Sequence, residues 1–272
     1  MTIYMTSQPL QPFTAVILAA DRTTQDPVAR AAGVPCKALA PVGGQPMVLR
    51  VLDALEASQQ VDRYILCGPP ADIISREPRI RQRMAASGVH WVPPQATPST
   101  SALSALQPIA AATPVLLTTA DHALLTPEMV DYFCHEARAA GSDVVAALTS
   151  HARIMERYPG MRRTRTRFTD GAFCGCNLFA FLTPEGRAAA DLWRRVENER
   201  KRPLKMLGQL GGWVVIRYLL GLLSLKDALH HISDRMGLRV AVVILPFPEA
   251  AVDVDSVSDW HFAQAIASRG GR

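Results

Sequence analysis

Pro114 to Val130 reads PVLLTTADHALLTPEMV, and this stretch decides the fold class. Pro114 to Thr119 is a short aliphatic run without polar alternation, the pattern of a parallel strand buried on both faces. The run stops at Asp121, and Pro127 then stands at the first turn of a helix expected to reach about Ala140. A carboxylate just past the carboxyl end of a buried parallel strand points into the crevice where open α/β sheets bind ligands. The plainer reading of such an aspartate is a helix or turn cap.

The same alternation extends both ways along the chain. Thr14 to Ala20, Asp62 to Cys67, Val89 to Val92 and Asp143 to Leu148 read as strands. Pro46 to Ser58, Asp72 to Ser87 and Ser101 to Ala112 read as helices, the last capped by Ser99 or Thr100, with Gly and Pro at most joints. Strands alternating with helices predict a mostly parallel sheet wrapped on both faces. Past Ser150 the rhythm changes through a basic loop to a strand at Phe173–Leu182. A helix capped by Thr183 then runs to about Arg200, followed by a helix from Leu225 to about Met236, a strand at Leu238–Leu245 and a closing helix at Ser256–Ala267. Residues 1–12 read as a disordered leader and 13–272 as one domain with an apolar helical insert at about 201–236.

The 272 residues are enough for a sizeable core, and a hydrophobic share of 49% with 19% charged describes an ordinary globule. The net charge of +5 is modest but uneven. Arg153, Arg157, Arg162, Arg163, Arg165 and Arg167 crowd one stretch, which favours a local anion site over a nucleic-acid surface. Five cysteines, of which only Cys174 and Cys176 are close in sequence, give no disulfide framework or zinc spacing, and a cytoplasmic compartment is the simplest expectation. Pro203 to Leu225 is strongly apolar, yet Lys205, Gln209, Arg217 and paired glycines interrupt it, so a spanning helix is not expected. Packing on the sheet or across a homodimer contact is the first reading of it. A peripheral membrane contact or the lining of an apolar pocket are the others.

A second acidic mark closes another apolar run: Asp253 and Asp255 in VAVVILPFPEAAVDVDSVSDW, Val240 to Trp260. Hard divalent cations bind through one or two carboxylates plus substrate phosphates, so aspartates far apart in sequence suffice if the fold joins them. Asp121, Asp253 and Asp255 are therefore the candidate ligands of a Mg²⁺ ion that holds nucleotide phosphates.

The amino-terminal stretch VILAADRTTQDPVARAAGVPCKALAPVGGQPMVLRVLDAL resembles the entry motif of the molybdenum-cofactor guanylyltransferase-like (MobA-like) nucleotidyltransferases. Leu18, Ala19 and Ala20 match the end of the family's first strand. Pro41, Val42, Gly44 and Pro46 match its Pro-Val-x-Gly-x-Pro turn, and Lys37 stands at its lysine position. Asp121 falls at the family's first metal aspartate, and VDVDSVSDW is similar to its closing motif. The resemblance implies a Rossmann-like three-layer α/β/α sandwich of the nucleotide-diphospho-sugar transferase (GT-A) type. It also implies transfer of a nucleotidyl group from a nucleoside triphosphate to a small phosphorylated acceptor, with Mg²⁺ and release of pyrophosphate. On that basis Lys37 and Asp121 are the catalytic candidates, and Leu18, Ala19, Ala20, Asp21, Arg22, Lys37, Gly68 and Ser101 the nucleotide-binding ones. Arg163, Arg165 and Asn177 are the candidates for the acceptor.

Such chemistry must neutralise charge and align two anions that repel each other, which backbone amides, a lysine and arginine forks can do. The loop of this chain departs from the family's glycine-bearing one, since Ala20 is followed by Asp21, Arg22, Thr23 and Thr24. A carboxylate at Asp21 opposes a triphosphate unless it turns away or joins in metal coordination. Two other functions remain open on the residues alone: a GT-A-type glycosyltransferase using a nucleotide-sugar, and a nucleotide-binding regulator without turnover.

Overall fold

Phe13–Leu18 (β1) is buried at all six positions, the mark of a central strand covered on both faces. The computed structural model describes residues 11–21, 23, 25–188, 190 and 212–270. The other strands in chain order are Pro41–Val42 (β2), Gln45–Pro46 (β3), Val61–Cys67 (β4), His90–Val92 (β5), Val115–Thr119 (β6), Val144–Ser150 (β7), Thr166–Phe168 (β8), Gly171–Phe181 (β9) and Val240–Leu245 (β10). An eight-stranded sheet runs in the order β10-β7-β9-β6-β1-β4-β5, with β8 added against β9, while β2 and β3 form a small hairpin. β1 pairs in parallel with β4 on one side and β6 on the other, and β9 runs antiparallel to its neighbours β6 and β7. The fold is thus the mostly parallel α/β sheet that the alternation predicts, in the Rossmann-like form that the resemblance implies.

Successive residues of the central strands point to opposite faces, so the core divides into two layers. Ala15, Ile17 and Leu116 pack under the helices Met47–Ala57 and Pro127–Ala139 through Leu52, Leu55, Val130 and Phe133. Val16, Leu18 and Leu117 pack on the other face against Ala102, Ala105 and Leu106 of the helix Pro98–Leu106. A third cluster joins Ala40, Val42 and Met47 to Val252, Val254 and Trp260.

Several elements differ from the sequence reading. The helix expected over Asp72–Ser87 is two, Ala71–Arg76 and Pro78–Ala86. The ring of Pro78 excludes the helical region for Glu77, which lies at φ −111°, ψ 85°. The helix expected from Ser101 begins at Pro98, because Thr97 and Thr100 form a capping box there. Arg153 and Arg157 belong to a helix, His151–Arg157, rather than to a loop. The helix capped by Thr183 begins at 184, with the Gly186 amide donating to Thr183 Oγ1 at 3.1 Å. Its expected course to Arg200, and the first part of the apolar insert, lie outside the described residues. The cysteines are free and buried, and among the described residues no helix is long and apolar enough to cross a membrane.

Asp143, just before β7, joins three elements. Its carboxylate accepts from the Arg239 amide at 2.8 Å, from Arg239 Nη2 at 2.6 Å and from Thr183 Oγ1 at 3.1 Å. The Arg239 side-chain bond, ahead of a smaller opposing effect of burial, lowers its pKa to about 2. A carboxyl depressed in the fold contributes stability that is present above its unfolded value near 4 and is lost as pH falls through the folded one. Asp143→Asn is therefore expected to lower the melting temperature by about 2–4 °C at pH 7, with the gap to wild type closing between pH 4 and pH 2. A gap that persists unchanged at pH 2 contradicts this reading of Asp143.

Candidate functional site

The strand order reverses at β1: the chain passes outward through β4 and β5, then returns to place β6 on the other side of β1. A crevice opens at such a switch point, beyond the carboxyl ends of the strands. Here the Ala19 amide still donates to Cys67 O at 2.8 Å and the Ala120 amide to Leu18 O at 2.8 Å, so the chain splays only after these residues. A cleft of about 660 Å³ results, lined by Leu18, Ala19, Ala20 and Asp21 from the first loop, and by Lys37, Asp121, Asn177, Asp253 and Asp255.

Lys37 enters through a one-turn 3₁₀ segment whose neighbours Cys36, Ala38 and Leu39 are buried. The β2–β3 hairpin that follows turns on Gly43 (φ 61°) and Gly44 (φ 81°), the two positive angles a type I′ turn requires. That hairpin holds the last helix, Val257–Gly270: Trp260 Nε1 donates to Pro41 O at 2.7 Å, and the Gly43 amide to Gln264 Oε1 at 2.9 Å. The segment before the helix is pinned in turn, since the Val254 amide donates to Asp121 O at 3.0 Å. Asp253 and Asp255, on either side of Val254, are thereby brought to the end of β6.

Lys37 Nζ donates to Asp121 Oδ2 at 2.5 Å and lies 3.7 Å from Asp255 Oδ1. The other oxygen of Asp121 accepts from Thr119 Oγ1 at 2.5 Å and from Asn177 Nδ2 at 3.3 Å. Burial works to raise the Asp121 pKa, but the Lys37 charge and bond together with the Thr119 hydroxyl outweigh it and hold the carboxyl below its ordinary value. Burial likewise works against the Lys37 ammonium, and the charge and hydrogen bond of Asp121 overcome it. Asp253 has the opposite balance: burial first, then the Asp121 charge, push it well above the usual carboxylate range, opposed by Arg163. Its Oδ1 is buried without a hydrogen-bond partner among the described residues.

The remaining candidates divide. Asp21 turns its carboxylate onto the Lys37 amide, with bonds of 3.1 and 3.0 Å to its two oxygens. Burial, opposed by that amide bond, raises its pKa. Ser101 lines the cleft, yet its hydroxyl is used to accept from the Gln95 amide at 2.8 Å. Gly68 is not among the lining residues. It backs the first loop at φ 85°, where a Cβ would stand 3.0 Å from Ala20 N, too close for any side chain without movement of the loop. Arg163 reaches the tail, donating from Nη2 to Asp253 O at 2.8 Å, whereas Arg165 is exposed and meets His151 Nε2 at 3.0 Å. Arg22 lies outside the described residues.

The sequence reading missed Asp26, Gln95, Thr97 and Phe179, which also line the cleft. Two of them carried a legible signal. Asp26 precedes Pro27 and accepts from the Val28 and Ala29 amides at 2.8 and 3.2 Å, an acidic cap before a proline at the first helical position. Thr97 precedes Pro98 in the same way, and it turns the amino end of the helix Pro98–Leu106 toward the cleft. The aligned peptide dipoles give that end a positive character that attracts anions.

Comparison with known proteins agrees with this fold. The profile of the MobA-like NTP transferase domain matches residues 15–237. A hypothetical transferase from Thermus thermophilus is 28% identical, with a TM-score of 0.75, covering 91% of this chain and 99% of that one. The fold is shared at lower identity by CMP:2-keto-3-deoxy-manno-octonic acid synthetase complexed with CTP, 12% identical with a TM-score of 0.58 over 94% of this chain and 99% of that one. It is shared too by 4-diphosphocytidyl-2C-methyl-D-erythritol synthase from Anaerococcus prevotii DSM 20548, 14% identical with a TM-score of 0.56 over 95% and 99%. No curated protein matches the chain.

The raised pKa of Asp253 makes its charge a burden on the ligand-free fold. Below the unfolded value near 4 both states are protonated and nothing is lost, and the destabilisation grows as pH rises toward the folded value. Asp253→Asn, which removes the charge and keeps the shape, is expected to melt above wild type by a few degrees at pH 8 and level with it at pH 4. Calorimetry that finds the variant equal or lower at pH 8 contradicts this.

Proposed function

The chain belongs to the MobA-like NTP transferase family, and from that premise we propose that it transfers a nucleoside monophosphate group from a nucleoside triphosphate to a small phosphorylated metabolite. The observation that carries the proposal is the single ammonium of Lys37 held between Asp121 and Asp255 at the mouth of the switch-point cleft. In the reaction an oxygen of the acceptor phosphate attacks the α-phosphorus. The new P–O bond forms as the bond to the β-phosphate bridging oxygen breaks, the electron pair leaves with pyrophosphate, and no covalent enzyme intermediate is needed.

Charge in the cleft favours a triphosphate that arrives with a cation. Asp21, Asp26, Asp121, Asp253 and Asp255 line it, and among the described lining residues Lys37 is the one cation. An uncomplexed triphosphate meets repulsion there. Asp121 and Asp255, with the unpartnered oxygen of Asp253, are hard oxygen donors suited to Mg²⁺. Among the described residues no three His, Cys, Asp or Glu side chains gather as a metal cage, so these carboxylates would supply only part of the coordination and phosphate oxygens of the substrate would be needed for the rest. When bound, Mg²⁺ screens the phosphates and stabilises the charge that builds on pyrophosphate. Lys37 steers the triphosphate and neutralises part of its charge, Asn177 and Thr119 fix the orientation of Asp121, and Arg163, with Arg165 farther out, suits the acceptor phosphate.

The test is pyrophosphate release with a panel of triphosphates and phosphorylated acceptors in the presence of Mg²⁺. Acceptor-dependent release supports transfer. Triphosphate binding without release points to a regulator, and turnover of a UDP-sugar to a glycosyltransferase; either result overturns the proposal. Asp121→Asn is expected to lower turnover about a hundredfold or more with the fold intact. Lys37→Ala should raise the triphosphate concentration needed and lower the rate about tenfold or more. Full activity in either variant removes that residue from the proposed machinery.

A further inference from the structure

Both oxygens of Asp121 are engaged, each by donors of a different kind. Oδ1 accepts from neutral groups, Thr119 Oγ1 at 2.5 Å and Asn177 Nδ2 at 3.3 Å. Oδ2 accepts, among the described residues, from the Lys37 ammonium alone, at 2.5 Å. The same Nζ lies 3.7 Å from Asp255 Oδ1. Lys37 therefore stands between the two carboxylates that the proposed reaction assigns to a divalent cation. A hard cation such as Mg²⁺ approaches a carboxylate oxygen to about 2.1 Å, so the ammonium and the cation compete for one place and repel each other there. Asp121 can serve a cation only if Lys37 withdraws.

Withdrawal is a movement of the side chain, because the backbone is fixed. The Lys37 amide is bonded to both oxygens of Asp21, and Cys36, Ala38 and Leu39 are buried around it. Nζ has no third partner among the described residues, and a flexible four-carbon stem lets the ammonium turn within the cleft it lines. The acids of the first loop are turned to backbone amides: Asp21 to that of Lys37, and Asp26 Oδ1 to those of Val28 and Ala29. An ammonium that leaves Asp121 thus gives up its strong partner where burial already works against its charge, and phosphate oxygens are a partner that can replace it. A cation entering alone is equally short of ligands, since among the described residues no cage of three His, Cys, Asp or Glu side chains awaits it.

We propose that Lys37 closes the cation site of the ligand-free chain and opens it only for a cation that arrives with a triphosphate. This rests on the reading of Asp121 and Asp255 as cation ligands given above, and it adds how the site is controlled. The phosphates draw the ammonium off Asp121, and the freed Oδ2 becomes available to the cation. Each ligand removes what hinders the other, so each strengthens the binding of the other by the same factor. An ion pair that merely braces the fold has no such coupling.

Adding Mn²⁺ alone to the full chain, with the free ion read by electron paramagnetic resonance, tests this without nucleotide or acceptor; Mn²⁺ takes the same oxygen ligands as Mg²⁺. Wild type is expected to bind it weakly. Lys37→Met, which keeps the stem and removes the charge, should bind about tenfold more tightly or better, and adding Asp121→Asn to that variant should abolish the gain. Arg163→Met removes a neighbouring charge without freeing Asp121, and its gain should be much smaller. If Lys37→Met is less stable, Mn²⁺ alone should raise its melting temperature and leave that of wild type unchanged. Equal affinity in wild type and Lys37→Met, or an equal gain in Arg163→Met, overturns the proposal and leaves the cation ligands standing. No binding in Lys37→Met overturns both. Wild type that binds Mn²⁺ alone in the micromolar range overturns the proposal whether or not the variant folds. None of these readings depends on pyrophosphate release, which tests the reaction separately.

Discussion

One ammonium group organises this molecule. Lys37 Nζ bridges a carboxylate at the end of the central strand β6 and another from the last segment before the closing helix. Without a cation between them, Asp121, Asp253 and Asp255 would repel one another in a partly desolvated cleft. The neighbouring structure serves to keep that ammonium in place. The 3₁₀ turn is buried on both sides of Lys37, Asp21 holds its backbone amide, and the hairpin beyond it grips the helix that delivers Asp255.

The same electrostatics account for the place of an acidic residue in the glycine-free first loop. A carboxylate at position 21 placed toward a triphosphate would oppose it, but Asp21 is turned onto the Lys37 amide and helps to fix the lysine. Asp253 shows the reverse economy. Its burial disfavours its own charge, and its free oxygen has no internal partner among the described residues. Such a group beside a cleft lined by other carboxylates fits the proposed site, where a cation bound with the substrate would be its partner.

Much of this was legible in the sequence, for identifiable reasons. Buried parallel strands read as uninterrupted aliphatic runs, so β1, β4 and β6 stand within a residue or two of their expected bounds. Asp121 was visible because it follows such a run, and the Asp253/Asp255 pair because it closes the apolar stretch that begins with β10 and continues through a 3₁₀ turn, Pro248–Ala251. Their convergence was not visible in spacing alone, since it depends on the Val254 amide and on Trp260 bonding across the chain. Local rules that were not weighed account for the errors: Pro78 divides a helix, and Thr97 rather than Ser99 or Thr100 caps the next one. The fate of Gly68 shows another limit. Sequence marked it as a contact, whereas its missing side chain serves the close approach of Ala20 behind the loop. The apolar segment near residue 220 was undecidable from hydropathy: its Leu219, Leu220 and Leu222 reach solvent, and a buried and an exposed leucine ridge have the same composition.

The proposed reaction requires that the charge of the cleft admit a triphosphate only together with a divalent cation. Thermal denaturation of the ligand-free chain with a panel of nucleoside triphosphates, each with Mg²⁺ and with a chelator, tests this directly. At least one triphosphate should raise the melting temperature by several degrees with Mg²⁺ and leave it unchanged when the metal is chelated. An equal rise without the metal, or no rise with any of them, would contradict it.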